Sequence, residues 1–401
     1  MQGRICRTPA IVLFSISILL AGCTSQKKPS LQQPALAFKR SSVTPFSAPN
    51  PDAPVRSFED IAALPDTSFD VAEAWIALAS EDGQPGHGAD RATILRAIDE
   101  LASRAQDALP NNPDGVDCFD ALYDTVLNRK AAEGLSGDRA ENYDPAFTLQ
   151  KRKGTCLSMG LLALAVARRM NIPVYGVNAP SHFFLRYIDP DAAGSNVTMD
   201  VTRPLPERWN RQDDSFYRRW QRIHRDAETR GIYLRPLTDR ECVSVFLASR
   251  SGFHARQQDF ARAERDAERA LRLYPENVVA LINAGFAREN LKQYDVAEKH
   301  FRHAIELDPG AVRAMNNLAY LKIRDANDPG HDPRAAEEWI DRALRLQPDR
   351  AYLHATRGEV RAVRKDWRGA TAALQQALKL EPKNEAYRKR FMELRGILRG
   401  E

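Results

Sequence analysis

Arg152-Lys153-Gly154-Thr155-Cys156-Leu157-Ser158 opens an apolar run through Leu161, Leu164, Val166 and Met170 that stops at Asn171-Ile172-Pro173. Apolar residues at that spacing predict one long helix, with Cys156 in its first turn and a proline closing it. Val174-Tyr175-Gly176-Val177 and His182-Phe183-Phe184-Leu185-Arg186-Tyr187 follow, and Val197 to Val201 continues the pattern; these branched and aromatic runs predict strands. A helix feeding consecutive strands is an α+β layout. Upstream, between Ser57 and Leu135, helical spacing recurs in Val71, Trp75, Ile76 and Leu78, in Ile94, Ile98 and Leu101, and in Phe119, Leu122, Val126 and Leu127. About three helices are expected there, with Asp70 and Asp117 as candidate N-caps and Pro110 to Gly115 as a break.

A thiolate is favoured at a helix start, where unpaired backbone N–H groups and the positive end of the helix dipole stabilise negative charge, and Arg152 and Lys153 would add to the effect. His182 begins a strand 26 residues later, and Asp200 lies 18 beyond that, near the end of the next strand. A cysteine nucleophile needs a base to take its proton, and the base needs an acceptor to fix its tautomer. Taken singly, such a cysteine is more often a packing residue and such a histidine a satisfied hydrogen-bonder. Their joint occurrence in this order is what points to a triad, with Asp189 and Asp191 as competitors for the place of Asp200.

This order, mapped onto helix, strand and strand, resembles the transglutaminase-like branch of the papain-type cysteine enzymes, strongly over 142–202 and over about 57–237 in total. The resemblance implies Cys156 as nucleophile, His182 as general base and acid, and Asp200 as the residue orienting the imidazole. It implies an oxyanion hole at the backbone N–H of Cys156, with Gln150 a side-chain candidate as in papain-like enzymes, and it calls for no cofactor.

From about Val243 the chain repeats. Pro275, Pro309, Pro348 and Pro382 stand 34, 39 and 34 residues apart, and aligned on them Ala263, Ala297, Ala336 and Ala370 coincide, as do Ala270, Ala304, Ala343 and Ala377. Gly285 and Gly358 also coincide. Small residues at fixed points of a 34-residue unit, with a proline at its end, resemble the tetratricopeptide repeat. The third unit carries about five extra residues around Asp325 to Pro333, expected as a longer turn, and Asn384 onward reads as a polar capping helix. Stacks of this kind present a groove to peptide segments or helices, so the resemblance implies a protein or peptide partner.

The chain begins with Arg4 and Arg7, an apolar run from Ala10 to Leu20, and Leu20-Ala21-Gly22-Cys23. The run is too short to span a bilayer, and its ending resembles the lipobox of bacterial lipoproteins. That resemblance implies a signal peptide over 1–22 and lipid on Cys23 as the membrane anchor. With Thr24 rather than aspartate next, it points to the outer membrane of a two-membrane cell, facing the periplasm. A proline-rich tether over 23–56 would lead to a transglutaminase-like domain with a helical N-terminal part over 57–240 and a repeat domain over 241–401.

The remaining totals exclude more than they assign. With 401 residues and 43% hydrophobic residues the chain can fill two or three cores, so it is not a disordered protein. A formal charge of +5, with basic and acidic residues interleaved, gives nucleic-acid binding little support. Cys118 and Cys242 either pair in an oxidising compartment or serve as buried small hydrophobes. His300 and His303 lack acidic or cysteine partners at metal-ligand spacing, so no metal is expected. His224 is a substitute candidate for the base, and the basic and aromatic stretch from Trp209 to Trp220 reads either as an anionic-surface contact or, more simply, as cover for the domain edge. Two functions remain open: an envelope-anchored cysteine enzyme acting on amide or peptide bonds, with hydrolysis as the default, or a repeat scaffold carrying a vestigial triad.

Overall fold

The computed structural model describes residues 46–81, 90–111, 113–126, 139–188, 196–201 and 214–400. The leader, Cys23, Asp189, Asp191 and Trp209 lie outside the described residues. No helix among the described residues is long and apolar enough to cross a membrane. Residues 46–56, which the sequence reading placed in the tether, lie against the domain: Arg91 donates to the carbonyl of Pro51 at 2.8 Å, and the Phe46 ring lies 5.6 Å from the guanidinium of Arg169.

Four helices lead in, α1 (Phe58–Ala62), α2 (Val71–Glu81), α3 (Arg91–Asp107) and α4 (Gly115–Val126). Asp70 caps α2 as expected, accepting from the N–H of Glu73 at 2.7 Å. The cap of α4 is Asp114 rather than Asp117. Its carboxylate accepts from the N–H groups of Val116 and Asp117 at 2.7 and 2.9 Å, while Asp117 takes the N–H of Asp114 at 3.0 Å in return. The expected cap is therefore the reciprocal partner in a capping box. Next comes α5 (Pro145–Lys151), capped by Asp144, and then α6 (Cys156–Arg169). Every residue of α6 from Leu157 to Ala167 is buried, as an all-round apolar helix requires.

β1 (Val174–Ala179), β2 (His182–Ile188) and β3 (Asn196–Met199) form an antiparallel sheet of order β3-β2-β1-β4, completed by β4 (Pro236–Leu237). The strand period of two sends Phe183, Leu185 and Tyr187 toward α6. Phe184 joins a second cluster with Tyr217, Ile232 and Leu234 and with Leu281, Val312 and Met315 of the repeats. The short helices α7 (Asp214–Gln221) and α8 (Arg225–Thr229) lie in sequence between β3 and β4.

Four helical hairpins follow: α9 (Asp239–Arg256) with α10 (Phe260–Leu273), α11 (Val278–Asn290) with α12 (Tyr294–Leu307), α13 (Val312–Ile323) with α14 (Pro333–Leu346), and α15 (Ala351–Val363) with α16 (Trp367–Leu380). The eight aligned alanines are all fully buried. A Cβ at Gly285 would stand 2.6 Å from the Phe301 ring, which is why that helix crossing needs glycine. The extra residues of the third unit form the connection from Ile323 to Pro333, as expected. The last helix, α17 (Glu385–Arg399), buries Tyr387 and Leu394 and leaves Met392, Ile397 and Leu398 exposed among its polar residues.

α9 runs across the boundary expected at 240/241. Its Cys242, Val243, Phe246 and Leu247 lie in one core with Trp75, Leu161 and Val166, while Ser244 and Ser251 donate to the carbonyls of Ala270 and Ala263 on α10 at 2.7 and 2.6 Å. Arg250, buried, donates to Asp266 at 2.7 and 2.9 Å and to the carbonyl of Leu78 on α2 at 2.8 Å.

Candidate active site

Cys156 is the first residue of α6 and is half-buried. Thr155 caps the helix in a capping box: its hydroxyl accepts from the N–H of Ser158 at 3.2 Å, and the Ser158 hydroxyl accepts from the N–H of Thr155 at 2.9 Å. A Cβ at Gly154 would collide with that Ser158 hydroxyl, so glycine is what lets the chain approach the box. With those two N–H groups engaged, the N–H of Cys156 is left at the positive end of the helix.

β2 starts with His182, opposite Ala179 across a two-residue turn. Asp200 directly follows β3, and the register pairs Leu185 with Met199, which sets Asp200 opposite Phe184 and diagonal to His182. Nε2 of His182 lies 2.8 Å from Oδ2 of Asp200, with both side chains more than nine-tenths buried. Cys156 lies close enough to the imidazole to raise its basicity. Because Nε2 is committed to Asp200, Nδ1 is the ring atom that remains for the sulfur. Burial alone would lower the basicity of this imidazole, but its hydrogen bond to Asp200 and the nearness of Cys156, with the charges those groups carry, raise it to about 10.

Aromatic rings that the sequence does not announce wall His182. Tyr217 stacks on it at 6.0 Å and 18°, and Trp220 stands at 70° with its centroid 5.1 Å away. Both belong to α7, whose Tyr217 also stacks on Phe184 at 4.0 Å and 7°. Of the two readings of the 209–220 stretch, the described part fits cover, and what it covers is the histidine of the site.

The other candidates separate from this centre. Gln150 is exposed on α5, and among the described residues its side chain makes no hydrogen bond. Arg152, expected to favour the thiolate, takes a left-handed conformation at the end of α5 and points its guanidinium to the carbonyl of Thr125, 3.4 Å away. Nδ1 of His224 accepts from the N–H of Asp226 at the start of α8. His300 sits 3.8 Å from Glu268, and among the described residues no group of three His, Cys, Asp or Glu could hold a metal ion. Cys118 and Cys242 are free and buried; burial pushes the Cys118 thiol up to about 11, helped by Asp117 and Asp114, and raises that of Cys242 as well.

Two stretches of the chain are similar to known families. Residues 92–248 match the family model of the transglutaminase-like superfamily, and residues 278–311 match that of the tetratricopeptide repeat. A UPF0162 protein of Xylella fastidiosa is 28% identical over 186 residues, which are 44% of this chain and 64% of that protein. Another, from Pseudomonas aeruginosa, is 32% identical over 105 residues, 25% of this chain and 37% of the relative. The chain thus spans less than two thirds of the length of these relatives. Among solved structures, a thermophilic tetratricopeptide-repeat protein of Thermus thermophilus is 25% identical, with 38% of this chain and 80% of that chain covered and a TM-score of 0.35. The chain therefore carries a transglutaminase-like domain followed by tetratricopeptide repeats.

Proposed function

We propose that the chain is a cysteine acyl-transfer enzyme that hydrolyses amide or peptide bonds, anchored to the cell envelope through lipid on Cys23, with the repeats recruiting a protein substrate. The observation that carries the chemistry is His182, bonded to Asp200 through Nε2 and near enough to Cys156 for that side chain to raise its basicity. In this reading the thiol proton rests on His182 and the Cys156 thiolate attacks the substrate carbonyl carbon. The oxyanion that forms accepts the N–H of Cys156. Nδ1–H of His182 protonates the departing amine as the C–N bond breaks, leaving a thioester on Cys156. Water then gives a proton to Nδ1 and attacks the thioester; the acid departs and the thiolate–imidazolium pair is restored. Asp200 holds the ring in place and stabilises its charge throughout.

The test is the pH dependence of Cys156 alkylation by iodoacetamide, followed on the Cys156 peptide by mass spectrometry. Alkylation that stays fast well below the usual thiol range of about 8.5, and slows in His182→Ala, supports the enzyme. An ordinary thiol, indifferent to His182, supports the rival reading of a repeat scaffold. The anchor has its own test, since labelled palmitate should enter the protein in cells and not enter Cys23→Ala.

A further inference from the structure

We infer that Asp349, a residue of the repeats, is a positioning residue for His182 and acts through α7. The inference rests on the catalytic reading above and adds to it a contribution from the neighbouring domain. α7 carries the two rings, Tyr217 and Trp220, that enclose the imidazole. Within its own domain the helix is tied by Arg186 to Asp214 at its start and by Ser181 to Gln221 at its end.

The residue after Gln221 is unusual. Arg222 has φ of 52°, and the N–H of Ile223 reaches back to the carbonyl of Arg218 at 3.1 Å. This is the left-handed helix ending at which glycine is the usual residue, because a side chain there is strained. An arginine at this point aims its guanidinium outward, and both of its terminal nitrogens meet the carboxylate of Asp349, at 2.7 and 2.6 Å. Asp349 stands in the turn between α14 and α15.

The same strap is fastened a second time. Tyr233 donates to Asp308 at 3.1 Å, both side chains being buried, and Arg230 donates to the carbonyl of Glu306, so the turn after α12 is held as well. The wall of the candidate site is thus hung between its own sheet and two turns of the repeat stack. A shift of the α14–α15 turn would pull on Arg222, two residues from Trp220.

The experiment is charge reversal across the pair in the full chain. Arg222→Asp and Asp349→Arg should each slow Cys156 alkylation at pH 6 by about two- to fivefold, the range of an exposed bidentate pair. Arg222→Gly, which relieves the backbone but removes the guanidinium, should slow it too. The double exchange, Arg222→Asp with Asp349→Arg, should recover most of the wild-type rate and pH profile. Unchanged profiles in the single variants, alongside a slowed His182→Ala, would overturn the positioning role and leave the catalytic reading standing. If His182→Ala itself alkylates like wild type, both fail, and they fail on that variant rather than on Asp349.

Discussion

The ring of Trp220 stands 5.1 Å from that of His182 at 70°, and 40% of the tryptophan remains exposed. It therefore stands as a partial cover over the imidazole. Aromatic pairs of this kind contribute about 0.5–1.5 kcal/mol, so Trp220→Ala should slow Cys156 alkylation at pH 6 by roughly two- to tenfold. Trp220→Phe should retain most of the rate, and iodoacetamide kinetics on both variants check it.

Asp200→Asn preserves the shape of the acceptor and removes its charge. The protonated imidazole loses its stabilising partner, so the fast alkylation of Cys156 below pH 7 should fall tenfold or more. The residual reaction should rise with pH like that of an ordinary thiol, which the same kinetics taken from pH 5 to 9 will read.

The basicity of His182, raised to about 10 from 6.5, makes a statement about stability. Its protonated form is favoured by the fold, so the contribution is fully present below about pH 6.5 and is lost as pH rises toward 10. Thermal midpoints of wild type minus those of His182→Ala should shrink across that interval. Turnover should also fall above pH 10, where the ring no longer holds the proton needed by the leaving amine.

Asp266→Asn leaves the Arg250 guanidinium buried beside a neutral partner. Breaking a buried pair costs about 3–5 kcal/mol, and chemical denaturation should show it. Replacing both residues, as in Arg250→Met with Asp266→Leu, should recover part of the loss because no buried charge is then stranded.

The parts of this molecule that were legible in the sequence are those written locally. The strands β1 and β2, the start of α6 and the alanines at the repeat crossings each follow from a period or a breaker within one element. Cys156, His182 and Asp200 were legible because three residue types fell in the order that one chemistry needs. What escaped was set by contacts between distant segments. Nothing near Trp220 announces His182, 38 residues earlier in the chain. Arg152 could be read as a neighbour of Cys156 only until the left-handed turn at 152 sent its side chain to Thr125. The cap at Asp114 was mistaken for Asp117 because both carboxylates belong to one box, and composition does not say which comes first.

The double allegiance of α9 bears on modularity. A repeat array is ordinarily a cassette, exchangeable wherever one hairpin meets the next. In this chain the first hairpin is not for exchange, because Phe246 and Leu247 wall the neighbouring core and Arg250 holds the carbonyl of Leu78. A graft joined at residue 240 would strip Cys242, Val243, Phe246 and Leu247 from the core they share with Trp75, Leu161 and Val166. One joined after α10, near Pro275, would keep α9 and α10 in place, yet the foreign array would have to supply anew what Leu281, Val312 and Met315 give the cluster around Phe184.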